Sequence, residues 1–140
     1  MKKIISILWL IFILISVTSC AMMSGTKTPK LLPKDKEGYV EFYQAVKSGR
    51  VVVAKFGLDI CVGCIEANKI LISLMPTYEK AIYFSKVDLM TDREAEKNYN
   101  IKMMPTIIFF DKDGKEFFRL EGTVTKKLIV DKLESFCWSY

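Results

Sequence analysis

The sequence predicts an α/β domain with a central mixed sheet of four or five strands and helices on both faces. Three observations carry that reading. Apolar, β-branched runs at residues 51–56, 82–87 and 106–110 have the length and composition of buried strands. Segments with helical spacing of apolar residues lie before, between and after them. Asp113-Gly114 stands between the third run and a fourth at 116–120, which is hairpin chemistry. Strands joined through a helix are expected to run parallel with a right-handed crossover, and the hairpin pair antiparallel.

Taken in order, Tyr39, Phe42, Tyr43 and Val46 recur at helical spacing after Gly38, and Gly49 is placed to end that helix. The first strand, residues 51–56, has one odd member, Lys55. A loop at 57–60 leads to Cys61, which opens a second helix reaching about residue 74, before Pro76. The second strand ends at Asp88, and Thr91 with Glu94 fits a capping box for a helix through Tyr99. The third strand follows Met104-Pro105, and Gly122 breaks the chain after the fourth. In a last helix over 125–136, Leu128, Ile129, Leu133 and Phe136 share a stripe. These stripes read as core, not as cofactor boxes, and no internal repeat is present.

The chain has 140 residues, enough for one core. Hydrophobic residues at 51% and charged residues at 26% exclude a disordered chain. Histidine is absent, which removes Ser-His-Asp and Cys-His mechanisms, histidine-ligated metals and a histidine pH switch. At the N-terminus, Lys2 and Lys3 precede an apolar run at 4–17. As a helix this run spans about 21 Å, short of a hydrocarbon core of about 30 Å, and it has the form of a signal peptide. Val17-Thr18-Ser19-Cys20 resembles the bacterial lipoprotein box, which implies cleavage before Cys20 and its lipidation. An uncleaved membrane helix running on through Met23 is the alternative; either way the domain is expected to be tethered outside the cytoplasm. The expected organisation is a signal peptide at 1–19, a lipid-anchored linker at 20–37 and a domain at 38–140. Loss of Lys2 and Lys3 lowers the formal charge from +5 to +3, too small and dispersed for a nucleic-acid surface. Lys27, Lys30, Lys34 and Lys36 cluster near the anchor, as a solvated linker or as an attraction for anionic head groups.

Cys61-Val62-Gly63-Cys64 carries the chemistry. Two cysteines three apart, after a buried strand and at a helix start, form a redox arrangement. The N–H groups and dipole of the first helical turn favour an anionic sulfur. Cys61 is then the exposed nucleophile, and Cys64, one turn inward, resolves the mixed disulfide. Structural zinc needs four ligands, and beyond this pair only Cys20 and Cys137 remain. Covalent haem needs a histidine where Ile65 stands. A purely structural disulfide across so short a loop constrains little chain entropy. No metal and no cofactor are expected. Met103 and Met104 read as packing rather than a copper site, and Cys137 beside Trp138 as a partly buried free thiol.

With these features in place, residues 51–136 resemble the thioredoxin family. The passage from Val51 to Cys61 looks like the family's approach to its active site, Lys86-Val87-Asp88 like the end of its next strand, and Asp113-Gly114 falls at its hairpin. Met104-Pro105-Thr106, about forty residues after the cysteine pair, looks like its cis-proline segment. The resemblance implies a thioredoxin-like fold and a cis Pro105 packed against the disulfide. Met104 then offers its backbone to an extended substrate strand, with Val62 and Gly63 also at the substrate. Read on its own, Pro105 also fits an ordinary trans proline starting an edge strand. Two departures stand out. Lys55 occupies a position where many members carry a buried acid: it either tunes the cysteine pKa values from within, with Lys86 beside it, or snorkels its ammonium to solvent. Val62-Gly63 lacks the proline or histidine of well-known reducing and oxidising members, so the motif assigns no potential.

The resulting expectation is a monomeric, membrane-anchored, extracytoplasmic thiol–disulfide oxidoreductase. It reduces disulfides of exported proteins, draws electrons from an integral-membrane donor and binds no nucleic acid. Reduction is favoured because oxidising members usually carry a helical insertion that the short span from Cys64 to Pro105 does not hold. The other reading is a thioredoxin-fold module that binds a metal or a partner thiol without turnover.

Overall fold

The computed structural model describes residues 31–137, with side chains through residue 135. In chain order the elements are α1 (Phe42–Val46), β1 (Val51–Gly57), α2 (Val62–Tyr78), β2 (Ile82–Asp88), α3 (Arg93–Asn98), β3 (Thr106–Phe110), β4 (Glu116–Glu121) and α4 (Lys126–Cys137). The strands form one mixed sheet in the order β2-β1-β3-β4. β1 is parallel to β2, with Lys55 opposite Lys86, and β3 is antiparallel to both β1 and β4. All seven residues of β1 are buried, which is why that segment reads as a continuous apolar run rather than an alternation.

Alternate residues of the sheet face two cores. Val51, Val53, Ile107 and Phe109 pack with Leu71 of α2 and with Ile129 and Leu133 of α4. Val52, Ala54, Phe56 and Phe110 pack with Phe42 and Ala45 of α1 and Ala95 of α3. Aromatic edges hold the second face together: the Phe42 ring lies 5.3 Å from Phe56, 5.2 Å from Tyr99 and 5.5 Å from Phe110. This is the α/β, thioredoxin-like architecture expected, with four strands.

Local differences have local causes. Helix α2 does not stop before Pro76 but carries it in its last turn. The proline forfeits one backbone bond there, while burial of Leu74 and Met75 holds the turn in place. Tyr39 is buried but precedes α1, because Gly38 takes a φ of +92° and Val40 bridges to Lys34. The helix starts at Phe42, with the Glu41 carboxylate accepting from the N–H groups of Tyr43 and Gln44. Helix α3 is capped by Asp92, which accepts from Ala95 N–H at 3.1 Å, and not by Thr91 with Glu94. Thr91 instead turns its hydroxyl back to the Asp88 carbonyl. On α4, Leu128 is 45% exposed and stands off the core that Ile129 and Leu133 enter. Phe136 has no described side chain.

Part of the stretch read as a tether lies against the domain. Leu32 N–H donates to the Tyr83 hydroxyl, Lys34 pairs with Glu79, and the Asp35 carboxylate accepts from Glu37 and Tyr39 N–H groups. The expected signal segment, Cys20 and the first part of the linker lie outside the described residues. Among the described residues, no helix is long and apolar enough to cross a membrane.

Candidate active site

The C-terminal end of β1, the start of α2 and the segment before β3 meet at one end of the sheet, on its two inner strands. Cys61 is the N-cap residue of α2, in extended conformation (φ −79°, ψ 126°), with no side-chain capping bond. The unsatisfied N–H groups of the first turn are therefore available to its sulfur. Its thiol pKa is lowered, first by a hydrogen bond from the Cys64 thiol, then by the Cys64 and Gly63 N–H groups and by the charge of Lys55. Cys64 is fully buried one turn inward. Its pKa is pushed up to about 11, first by burial and then by its hydrogen bond to the Cys61 sulfur. Both are free thiols. The pair is chemically unequal: one sulfur accessible and inclined to the thiolate, the other hidden and protonated.

Gly57 makes that burial possible. A Cβ built there would stand 2.5 Å from Cys64 Sγ and 3.8 Å from Pro105 Cα. Across the site the Met104–Pro105 peptide bond is cis. Gly63 faces the Pro105 ring closely, since a Cβ on it would lie 3.2 Å from Pro105 Cδ. The Pro105 segment is tied in place by Gly122 N–H donating to the Pro105 carbonyl and by the Thr106 hydroxyl donating to the Met103 carbonyl. Beside it opens a cleft of about 420 Å³ whose lining includes Gly63, Glu66, Met103, Met104 and Pro105. Ile60, Val62, Met103 and Met104 are exposed around Cys61, an apolar rim.

Lys55 does not snorkel. Its side chain is 2% exposed, and its Nζ lies 3.6 Å from Asp59 Oδ1. Lys86, its neighbour across the parallel ladder, donates to Glu37 Oε2 at 2.7 Å, and that hydrogen bond is the main cause of its raised pKa. Asp59 Oδ2 lies 3.9 Å from Lys86 Nζ, so the carboxylate sits between the two lysines. Gly57 and Asp59 were not singled out from the sequence. The signals were there: a glycine ending a run of bulky strand residues, and an acid four residues after the odd lysine. Among the described residues, no group of three or more Cys, Asp or Glu side chains is placed to hold a metal ion. Cys137 ends α4 without a described side chain, and Cys20 lies outside the described residues.

An unequal thiol pair at a helix N-terminus, set against a proline segment on a mixed sheet, defines a thiol redox protein. The thioredoxin family model matches residues 34–135. Thioredoxin Y1, chloroplastic, of Arabidopsis thaliana is 28% identical over 108 residues, 76% of this chain and 62% of that protein. Thioredoxin-1 of Caenorhabditis elegans is 34% identical over 85 residues, 61% of this chain and 72% of that one. The X-ray structure of Fasciola hepatica thioredoxin superposes with a TM-score of 0.55 at 30% identity, covering 61% of this chain and 81% of that one. The chain belongs to the thioredoxin family. It spans less than two thirds of the length of the chloroplast relative.

Proposed function

We propose that this protein is a membrane-tethered thiol–disulfide oxidoreductase that reduces disulfides of exported proteins on the outer side of a bacterial membrane. The observation that supports it best is the opposed state of the two sulfurs, Cys61 lowered and partly exposed, Cys64 raised and buried. The Cys61 thiolate attacks one sulfur of a substrate disulfide, forming a mixed disulfide and releasing the other sulfur as a thiolate that takes a proton from water. Cys64 then gives up its proton to solvent and attacks the Cys61 sulfur. The Cys61–Cys64 disulfide forms, and the second substrate thiolate leaves and is protonated. Two electrons have passed to the substrate, and a donor of two electrons, read here as an integral-membrane carrier, must restore the dithiol. The cleft at Met104 and Pro105 receives the extended substrate backbone, and its apolar rim gives breadth of choice. Reduction is the favoured direction because only β2 and α3 stand between α2 and β3, with no helical insertion.

The test is insulin reduction by the full chain. Cys61→Ser is expected to abolish turnover, and Cys64→Ser to accumulate a mixed disulfide on Cys61; unchanged turnover in both sinks the enzymatic reading. Equilibration with glutathione buffers decides direction, an oxidising potential reversing it. For the tether, Cys20→Ala is expected to end lipid labelling in a bacterial host, and labelling that persists refutes that anchor.

A further inference from the structure

Lys55 sits within a strand whose residues are all buried, yet its side chain carries an ammonium group. Such a charge is costly to bury unless a counter-charge stands near. Asp59 supplies it, at 3.6 Å from Lys55 Nζ and 3.9 Å from Lys86 Nζ. Neither separation is a hydrogen bond, so the carboxylate is shared between cations on neighbouring strands. Lys86 has a closer partner in Glu37, at 2.7 Å, which leaves Asp59 as the counter-charge facing Lys55. Lys55 and Gly57 are two apart on β1 and so point to the same face. Gly57 is the residue against which Cys64 Sγ packs. The Lys55 charge therefore bears on the cysteine pair, and it favours the thiolate at both sulfurs.

We propose that Asp59 is a positioning residue of the redox site, governing through Lys55 how much positive charge reaches Cys61 and Cys64. The proposal rests on the thiol–disulfide exchange reading. The charged and titratable groups around Lys55 are Asp59 in the approach loop, Lys86 on β2 with its partner Glu37, Tyr39 beside Lys86, and the two cysteines of the α2 start. Ile107, opposite Lys55 on β3, adds none. With the carboxylate in place, much of the lysine's field is cancelled before it reaches sulfur. Without it, the field acts on the thiolates, and the dithiol form gains over the disulfide.

The full chain is compared with D59N, D59E, K55M and K55M/D59N. Iodoacetamide labelling of the Cys61 peptide is followed by mass spectrometry across pH, together with equilibration against glutathione. D59N is expected to move the labelling profile to lower pH, with about threefold faster labelling at pH 6, and to shift the equilibrium toward the dithiol. K55M is expected to move both the other way, and adding D59N to K55M to change neither further. D59E is expected to restore the profile of the parent chain. The proposal is overturned if D59N shifts nothing, if it shifts K55M as much as the parent, or if D59E behaves like D59N. Should K55M not fold, the D59N and D59E comparison decides alone, since Asp59 is exposed and its replacement removes no core contact. Labelling needs no turnover, so a failure of insulin reduction by the parent chain strikes the functional reading and leaves this measurement intact.

Discussion

Gly57 and Cys64 are in such close contact that the structure admits no side chain at position 57: a Cβ there would stand 2.5 Å from Cys64 Sγ. Neither partner yields easily, because both are buried, Gly57 in the sheet and Cys64 on the inner face of α2. Gly57→Ala must therefore displace the sulfur or part α2 from β1. The expected result is a loss of about 1–3 kcal/mol in urea unfolding, the usual cost of overpacking. A large fall in insulin reduction should accompany it, because Cys64 is moved off its line to Cys61. Wild-type stability and turnover in this variant would show that the contact is not needed.

The two cysteines give opposite pH signatures. The lowered pKa of Cys61 means that its thiolate is present below the pH at which an ordinary thiol ionises. Alkylation of the reduced protein near neutrality should therefore label Cys61 fast and Cys64 hardly at all. Cys64 has the reverse sign: its folded pKa, about 11, lies above the ordinary 9.0, so folding favours its protonated form. That stability is fully present below the unfolded value and is lost as pH rises through the folded one. Reduced protein should lose on the order of 1–2 kcal/mol between about pH 9 and 11, and Cys64→Ser should lack that part of the loss. Urea melts across that range check it, and identical slopes for the two chains would contradict it.

How much of this was legible in the sequence follows from which forces are local. The strands at 51–56 and 106–110, the hairpin at Asp113-Gly114 and the cysteine pair are each announced by neighbouring residues. Lys55 was visible as an anomaly, with Asp59 four residues on, but whether its ammonium reached water depended also on Ile107 and Lys86, which only the fold brings beside it. Pro76 argued locally for a helix end, yet the burial of Leu74 and Met75 outweighed one lost backbone bond. Gly57 stood out only as a glycine ending a bulky strand; its role, a space occupied by a sulfur seven residues away, is set by the packing of α2 on β1.

Helix α4 tests the periodicity argument directly. Sequence spacing puts Leu128 and Leu133 on one stripe, but Leu133 is 1% exposed and Leu128 is 45% exposed. Leu71 of α2 is fully buried in the same core as Leu133. Leu71→Ala is expected to cost about 2–5 kcal/mol, as removal of a buried leucine side chain usually does. Leu128→Ala should stay within about 0.5 kcal/mol, as exposed substitutions do. Chemical denaturation of both variants measures the contrast; equal losses would mean that Leu128 is covered in solution.

The cap of α3 separates two patterns that the sequence leaves adjacent. Thr91 and Glu94 have capping-box spacing, but Thr91 N–H and its hydroxyl both donate to the Asp88 carbonyl, so neither the reciprocal bond from Glu94 nor the threonine cap is made. Asp92 takes that place, accepting from Ala95 N–H at 3.1 Å and also accepting from the Tyr43 hydroxyl at 2.6 Å. Its charge lies at the positive end of the helix, and it joins α3 to α1 on the same face of the sheet. Asp92→Ala is therefore expected to destabilise the protein by about 1 kcal/mol or more, the usual cost of losing an N-cap. Glu94→Gln, which keeps the shape of a residue with no capping bond, should be close to neutral. The Tyr43 hydroxyl supplies an independent readout. Its pKa is pushed up to about 12, mainly by the hydrogen bond to Asp92, so Asp92→Ala should bring its ionisation back toward the ordinary 10.0. Ultraviolet titration of the tyrosines reads that shift, and an unmoved Tyr43 in the Asp92 variant would remove the carboxylate from both roles.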